Sequence, residues 1–164
     1  WACAERGELD ADGFFARFEA EAAALGHAID ARELFAGMSV AVRPEMVTLL
    51  RRLRGRYILA CLTNNMHVGH GPALSTDPER AAEVEAVFAL VDHVVESRHI
   101  GVRKPEPAFY TIACERAAVA PHEVVFLDDL GINLKPARAL GMHTIKVDAP
   151  AAAIAALEAL LAPG

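Results

Sequence analysis

Two adjacent aspartates, Asp128 and Asp129, close the apolar run Val124, Val125, Phe126, Leu127 and precede Leu130-Gly131-Ile132-Asn133. A buried strand that ends in paired carboxylates delivers them to the rim of a sheet. Neighbouring carboxylates repel and each resists desolvation, so the pair suits a place near a cation, and a hard ion such as Mg²⁺ is the natural candidate. Taken alone, Asp and Gly are also ordinary turn residues. Two further groups share this chemistry. Thr63 and Asn64 follow the apolar run Ile58, Leu59, Ala60, Cys61, Leu62, and Lys104 lies within Gly101-Val102-Arg103-Lys104-Pro105-Glu106-Pro107. A hydroxyl and an amide can hold phosphate oxygens, an ammonium can neutralise their charge, and carboxylates can hold Mg²⁺; together these are parts for phosphoryl transfer. Each part also has a structural use, Thr63 and Asn64 as a helix cap and Lys104 as a solvated charge.

The elements that must position these groups alternate from about residue 37 onward. Pro44 opens an amphipathic stretch (Met46, Val47, Leu49, Leu50, Leu53) that stops at Gly55, with Pro near the start and Gly at the end as helices prefer. Strands are predicted over residues 58–62, 91–95, 124–127 and 144–147, and helices over 78–90, 107–117, 134–140 and 151–161. Short apolar runs separated by amphipathic helices predict an α/β fold with a parallel sheet covered on both faces. Ligands of such sheets bind at the carboxyl ends of the strands, where both Thr63 and Asp128 stand.

A chain of 164 residues that is 54% hydrophobic can bury a core without disulfides, and its net charge of −6 argues against a nucleic-acid backbone as the main partner. Cys3, Cys61 and Cys114 are odd in number and lack metal-type spacing, which predicts reduced thiols and a cytoplasmic protein. No apolar stretch is long enough to span a bilayer, and no membrane partner is expected. The chain opens on Trp1 and its first methionine is Met38, which predicts a processed product or a fragment.

Leu62-Thr63-Asn64, Arg103-Lys104-Pro105-Glu106-Pro107 and Phe126-Leu127-Asp128-Asp129-Leu130-Gly131-Ile132-Asn133 resemble motifs II, III and IV of the haloacid-dehalogenase-like hydrolases. The stretch 124–141 is most similar to the amino-terminal phosphatase domain of soluble epoxide hydrolases and their bacterial relatives. This resemblance implies a Rossmann-like core with a helical cap, and Mg²⁺-dependent chemistry through an aspartyl intermediate. It implies that Thr63 and Asn64 bind the transferred phosphoryl group of a small phosphorylated substrate. Lys104 would stabilise the charge of that group and of the nucleophile. Asp129 would be the direct Mg²⁺ ligand and Asp128 would act through a water or an outer hydrogen bond. Gly131 and Asn133 would shape the loop and the start of the next helix. Family members acting on carbon–halogen bonds usually carry serine at the Thr63 position and need no metal, so Thr63 with paired acids leans toward a phosphatase.

The chain departs from the family at motif I, the Asp-x-Asp pair that supplies the nucleophile and the general acid/base. Its only literal match is Asp10-Ala11-Asp12-Gly13, and the preceding residues Cys3-Ala4-Glu5-Arg6-Gly7-Glu8-Leu9 are not an apolar strand. Asp10 is instead expected to cap a helix that presents Phe14, Phe15, Phe18 and Ala22 on one face. Residues 1–40 are then a partial helical cap and residues 41–164 a core lacking its first strand, with the nucleophile upstream of Trp1. The expected function is Mg²⁺-dependent phosphomonoester hydrolysis by the intact parent, the segment alone being inactive. A noncatalytic module that binds a phosphorylated ligand or a protein is the alternative, and a carbon–halogen hydrolase a further one. His67 and His70 lack a third metal ligand in sequence reach and are expected to be loop histidines. Arg51, Arg52, Arg54 and Arg56 are expected on the wet face of a helix.

Overall fold

The structure, a computed structural model, describes residues 1–36, 41–66 and 78–162. His67 and His70 lie outside the described residues, as does Met38. In chain order the elements are α1 (Ala2–Glu5), α2 (Ala11–Ala24), α3 (Ala31–Ala36), α4 (Pro44–Leu53), β1 (Ala60–Thr63), α5 (Pro78–Phe88), β2 (His93–Glu96), α6 (Ser97–Ile100), α7 (Pro107–Ala117), β3 (Val125–Asp128), α8 (Gly131–Leu140), β4 (His143–Lys146) and α9 (Pro150–Leu161). The chain is an α/β protein in which β1 pairs with β2, and β3 pairs with β4 in parallel from Val125 opposite His143 to Asp128 opposite Lys146. No helix among the described residues is long and apolar enough to cross a membrane.

Two compact units divide the chain. One comprises Trp1–Val42, Leu62–Ala89 and Val94–Arg103, the other Arg43–Cys61, Leu90–His93 and Lys104–Gly164. In the first unit Asp10 caps α2 as expected, its side chain accepting the Gly13 N–H at 2.8 Å. The helix buries Phe14 and Phe15 against Phe35 of α3, with Ala4, Ala31 and Met66 completing the cluster. Phe14 and Phe18 meet the Phe35 ring edge-on, with centroids 5.4 and 5.5 Å away, the arrangement the ring quadrupoles favour. Gly7 follows α1 at a φ of +74°, and a Cβ there would lie 2.7 Å from the Arg98 carbonyl oxygen. Only glycine satisfies both demands, so α1 packs directly on the backbone of α6. The buried Glu5 of α1 pairs with Arg103 beyond α6.

The second unit packs α4 and α9 over a core of Leu49, Leu53, Leu59, Ile145, Ala153 and Leu157. Period 3.6 turns Leu49 and Leu53 inward and leaves Arg51 and Arg52 on the wet face as expected, whereas Arg54 and Arg56 are exposed but lie past the end of the helix. Helix α8 lies on β3 and β4, and α7 lies on α8. Each of the first three strands ends in a polar residue, Thr63, Glu96 or Asp128, and begins later than its apolar run suggested. Apolar runs mark burial, whereas the strand is bounded by its hydrogen-bonded ladder.

Candidate functional site

The two acids of the 128–129 pair stand in opposite environments, Asp128 as the last residue of the strand and Asp129 in the bend just past it. Asp128 shares the buried face of β3 with Phe126 and is only 7% exposed, whereas Asp129, just past the strand, is exposed. Both oxygens of Asp128 are engaged. Oδ2 accepts from Lys104 Nζ at 2.8 Å; Oδ1 accepts from the Leu130 N–H and from Asn133 Nδ2, each at 2.9 Å. Burial by itself raises the Asp128 pKa, but the Lys104 hydrogen bond and charge, joined by the Leu130 and Asn133 donors, outweigh it and hold the carboxyl below its ordinary value.

Lys104 reaches this carboxylate from the position just before Pro105 and Pro107, and its ammonium lies 5.8 Å from the Phe126 ring centroid. Asn133 is buried in the first turn of α8, while Gly131 opens that helix exposed, with open space where a Cβ would stand. The backbone at Gly131 therefore makes no demand that only glycine meets. Tyr110 of α7 is fully buried, donates its hydroxyl to the Asn133 carbonyl at 2.6 Å and packs edge-on against Phe126 with centroids 5.5 Å apart. Burial and then the Asp128 charge push the Tyr110 pKa up, so the hydroxyl stays a donor.

Lys104, Asp128 and Asn133 are thus gathered in the second unit. Thr63 and Asn64 belong to the first, at the end of β1. There the Thr63 hydroxyl donates to Asn65 Oδ1 at 3.1 Å, Asn65 Nδ2 donates to Glu96 Oε1 at 2.9 Å, and the Asn65 N–H donates to Ser97 Oγ at 3.1 Å. Tyr110, Asn65 and Glu96 were not singled out from the sequence. Glu96 carries the same signal that marks Asp128, a carboxylate closing an apolar run, here Val94 and Val95; Tyr110 looks like any aromatic of an amphipathic helix.

Among the described residues no group of three or more His, Cys, Asp and Glu side chains is placed to hold a metal ion. At the end of β3 the oxygen donors are Asp129, with its carboxylate exposed, and Asp128, with both oxygens already accepting. Mg²⁺ is typically held by one or two carboxylates together with waters and substrate phosphate oxygens, and an exposed carboxylate beside a buried, anchored one fits that demand.

Residues 4–141 match the profile of the haloacid dehalogenase-like hydrolases. The chain belongs to this family. It is 40% identical over 119 residues to acyl-CoA dehydrogenase family member 10 of Mus musculus, covering 72% of this chain and 10% of that protein. It is 37% identical over 106 residues to bifunctional epoxide hydrolase 2 of the same organism, covering 65% of this chain and 19% of that protein. The chain therefore spans only a small part of the length of these curated relatives. A HAD-like family hydrolase from Porphyromonas gingivalis superposes with a TM-score of 0.75 at 21% identity, covering 99% of this chain and 78% of that one. A HAD family enzyme from Bacteroides thetaiotaomicron in complex with magnesium and inorganic phosphate superposes with a TM-score of 0.63 at 21% identity, covering 88% of this chain and 72% of that one.

Proposed function

We propose that this hydrolase segment belongs to a Mg²⁺-dependent phosphomonoester phosphatase that works through an aspartyl-phosphate intermediate. The observation that carries the reading is the buried Lys104–Asp128 pair, at 2.8 Å, beside the exposed Asp129. Asp128, anchored by three donors, fixes the Lys104 ammonium at the end of β3, where it stabilises phosphoryl charge. Thr63 and Asn64 hold phosphoryl oxygens. Asp129 would hold Mg²⁺, with Asp128 supporting it from behind; when bound, the ion supplies charge neutralisation to the transferring group. Thr63 in place of serine supports a phosphate ester over a carbon–halogen bond.

The nucleophile is assigned to a carboxylate outside these 164 residues. Asp10 spends its side chain on capping α2, and Asp12 is exposed and paired with Arg32. Neither stands at the end of a strand, so the segment alone is proposed to be inactive. The test measures phosphate release from a panel of small phosphomonoesters with and without Mg²⁺, and halide release from 2-haloacids in parallel. The 164-residue chain is compared with the protein expressed from its full natural reading frame. Mg²⁺-dependent phosphate release by the longer protein only is expected. Turnover by the 164-residue chain that Asp10→Asn abolishes would overturn the nucleophile assignment, and metal-independent halide release would overturn the phosphatase reading.

A further inference from the structure

We propose that Glu96 is a positioning residue for the loop at residues 63–65, a buried carboxylate that sets the Asn65 amide and through it the direction of the Thr63 hydroxyl hydrogen. The inference rests on the phosphoryl-binding role proposed for Thr63. Glu96 closes β2 and is 9% exposed. Its carboxylate accepts from Asn65 Nδ2 at 2.9 Å, and an Arg98 terminal nitrogen and His99 Nδ1 each lie 3.1 Å from its oxygens. An ionised carboxylate can only accept, so the amide nitrogen of Asn65, not its oxygen, must face Glu96. The orientation of an asparagine amide follows from its partners, and here that choice turns Oδ1 toward Thr63.

The rest of the relay is forced by the donor inventory. An amide oxygen can only accept, so Thr63 must be the donor in its 3.1 Å contact with Asn65 Oδ1. A threonine hydroxyl has one hydrogen. While Asn65 holds it, Thr63 shows lone pairs to its remaining surroundings, and an anionic phosphoryl oxygen must take that hydrogen from Asn65 in order to bind. Glu96 thereby does two things. Together with the fully buried Ser97, whose Oγ accepts the Asn65 N–H at 3.1 Å, it fixes where the loop stands, and it defines the internal acceptor against which a ligand competes. None of these contacts involves Lys104 or the 128–129 pair, so the relay can be perturbed separately from them.

Glu96→Ala removes the acceptor, and Glu96→Gln keeps an oxygen able to accept from Asn65 while discarding the charge. Asn65→Asp conserves the shape of the side chain but places a second carboxylate against Glu96, and it serves as the independent variant should Glu96→Ala fail to fold. Inorganic phosphate, with MgCl₂ present, is titrated into the 164-residue chain while backbone and side-chain amide resonances are followed. In the unmodified chain the two Asn65 side-chain amide protons should be widely separated in shift, one of them bonded to a carboxylate. Phosphate should move the Thr63 and Asn65 signals together. Glu96→Ala and Asn65→Asp are expected to weaken phosphate binding about tenfold, because a displaced 63–65 loop no longer presents its donors to the anion, a loss that outweighs relief of the competition for the Thr63 hydrogen, and Glu96→Gln to restore most of it. Wild-type affinity in both Glu96→Ala and Asn65→Asp, or an Asn65 amide signature unchanged in Glu96→Ala, would overturn the proposal. Absence of any phosphate response at residues 63 and 64 in the unmodified chain would refute the phosphoryl-binding role itself, and the hold of Glu96 on Asn65 would then be decided by the amide signature alone.

Discussion

Replacing Lys104 with methionine removes the ammonium while keeping a flexible apolar stem of similar length. In the folded protein this strands a carboxylate that is 7% exposed and leaves it two neutral donors, the Leu130 N–H and the Asn133 amide. Breaking one side of a buried ion pair costs about 3–5 kcal/mol. Because the two remaining donors still serve Asp128, the low end is expected, about 3 kcal/mol at pH 7, or roughly 8 °C in Tm for a chain of this size. The double variant Lys104→Met/Asp128→Asn removes the stranded charge and should recover about half of the loss; because Asp128→Asn alone strands the buried ammonium and is itself destabilising, the coupling between the two positions should exceed about 1.5 kcal/mol. Urea unfolding followed by far-UV circular dichroism measures all four proteins.

Acidification gives a second, signed readout of the same pair. Asp128 has a depressed pKa in the folded protein, so its stabilising contribution is present above the ordinary unfolded carboxylate value of about 3.9 and is lost as pH falls through the folded value. Without Lys104, burial is opposed by neutral donors only, and the folded pKa moves upward instead. The variant then carries a penalty at neutral pH that protonation relieves, so the stability gap to the parent should narrow between pH 7 and about pH 4. A gap below about 0.5 kcal/mol at pH 7, within the range of ordinary surface substitutions, or a gap constant across that pH interval, would refute the reasoning.

Asp129→Asn should change stability by less than about 0.5 kcal/mol, because the side chain is exposed, yet it should weaken the Mg²⁺-induced shifts of residues 128–131 in an amide titration at least several-fold; unaltered Mg²⁺ dependence would dismiss Asp129 as the ligand. Tyr110→Phe deletes a buried hydroxyl bonded to the Asn133 carbonyl and should cost about 1–2 kcal/mol in urea unfolding, with no loss expected if that bond is absent in solution. Gly7→Ala combines a left-handed backbone with a Cβ 2.7 Å from a backbone oxygen. It should lower stability by about 2 kcal/mol or more by thermal melting, whereas Gly55→Ala, at a φ of +75° with nothing within 4 Å, should show the backbone strain of about 1 kcal/mol alone.

What could be read from residue order was local. Prolines announce the starts of α4, α5, α7 and α9, and the expected helix over 107–117 has the bounds observed for α7, because a proline at the first turn has no N–H to waste. Asp10 as a cap was equally legible, since a side-chain oxygen bonding an N–H three residues on involves no distant partner. The three motifs were legible as strings, and the family they pointed to is the one the chain belongs to. What the string could not contain was which acid of a pair turns inward. The strand bounds slipped because apolarity reports burial and not hydrogen-bond pairing, and a shift of one residue exchanges the faces of Asp128 and Asp129. The ion pair of Lys104 with Asp128 joins residues 24 apart, that of Arg103 with Glu5 residues 98 apart, and the bond of Asn65 to Glu96 residues 31 apart. Partners so distant are chosen by packing, so the residue type declares what each group can donate or accept, and the tertiary structure alone decides to whom.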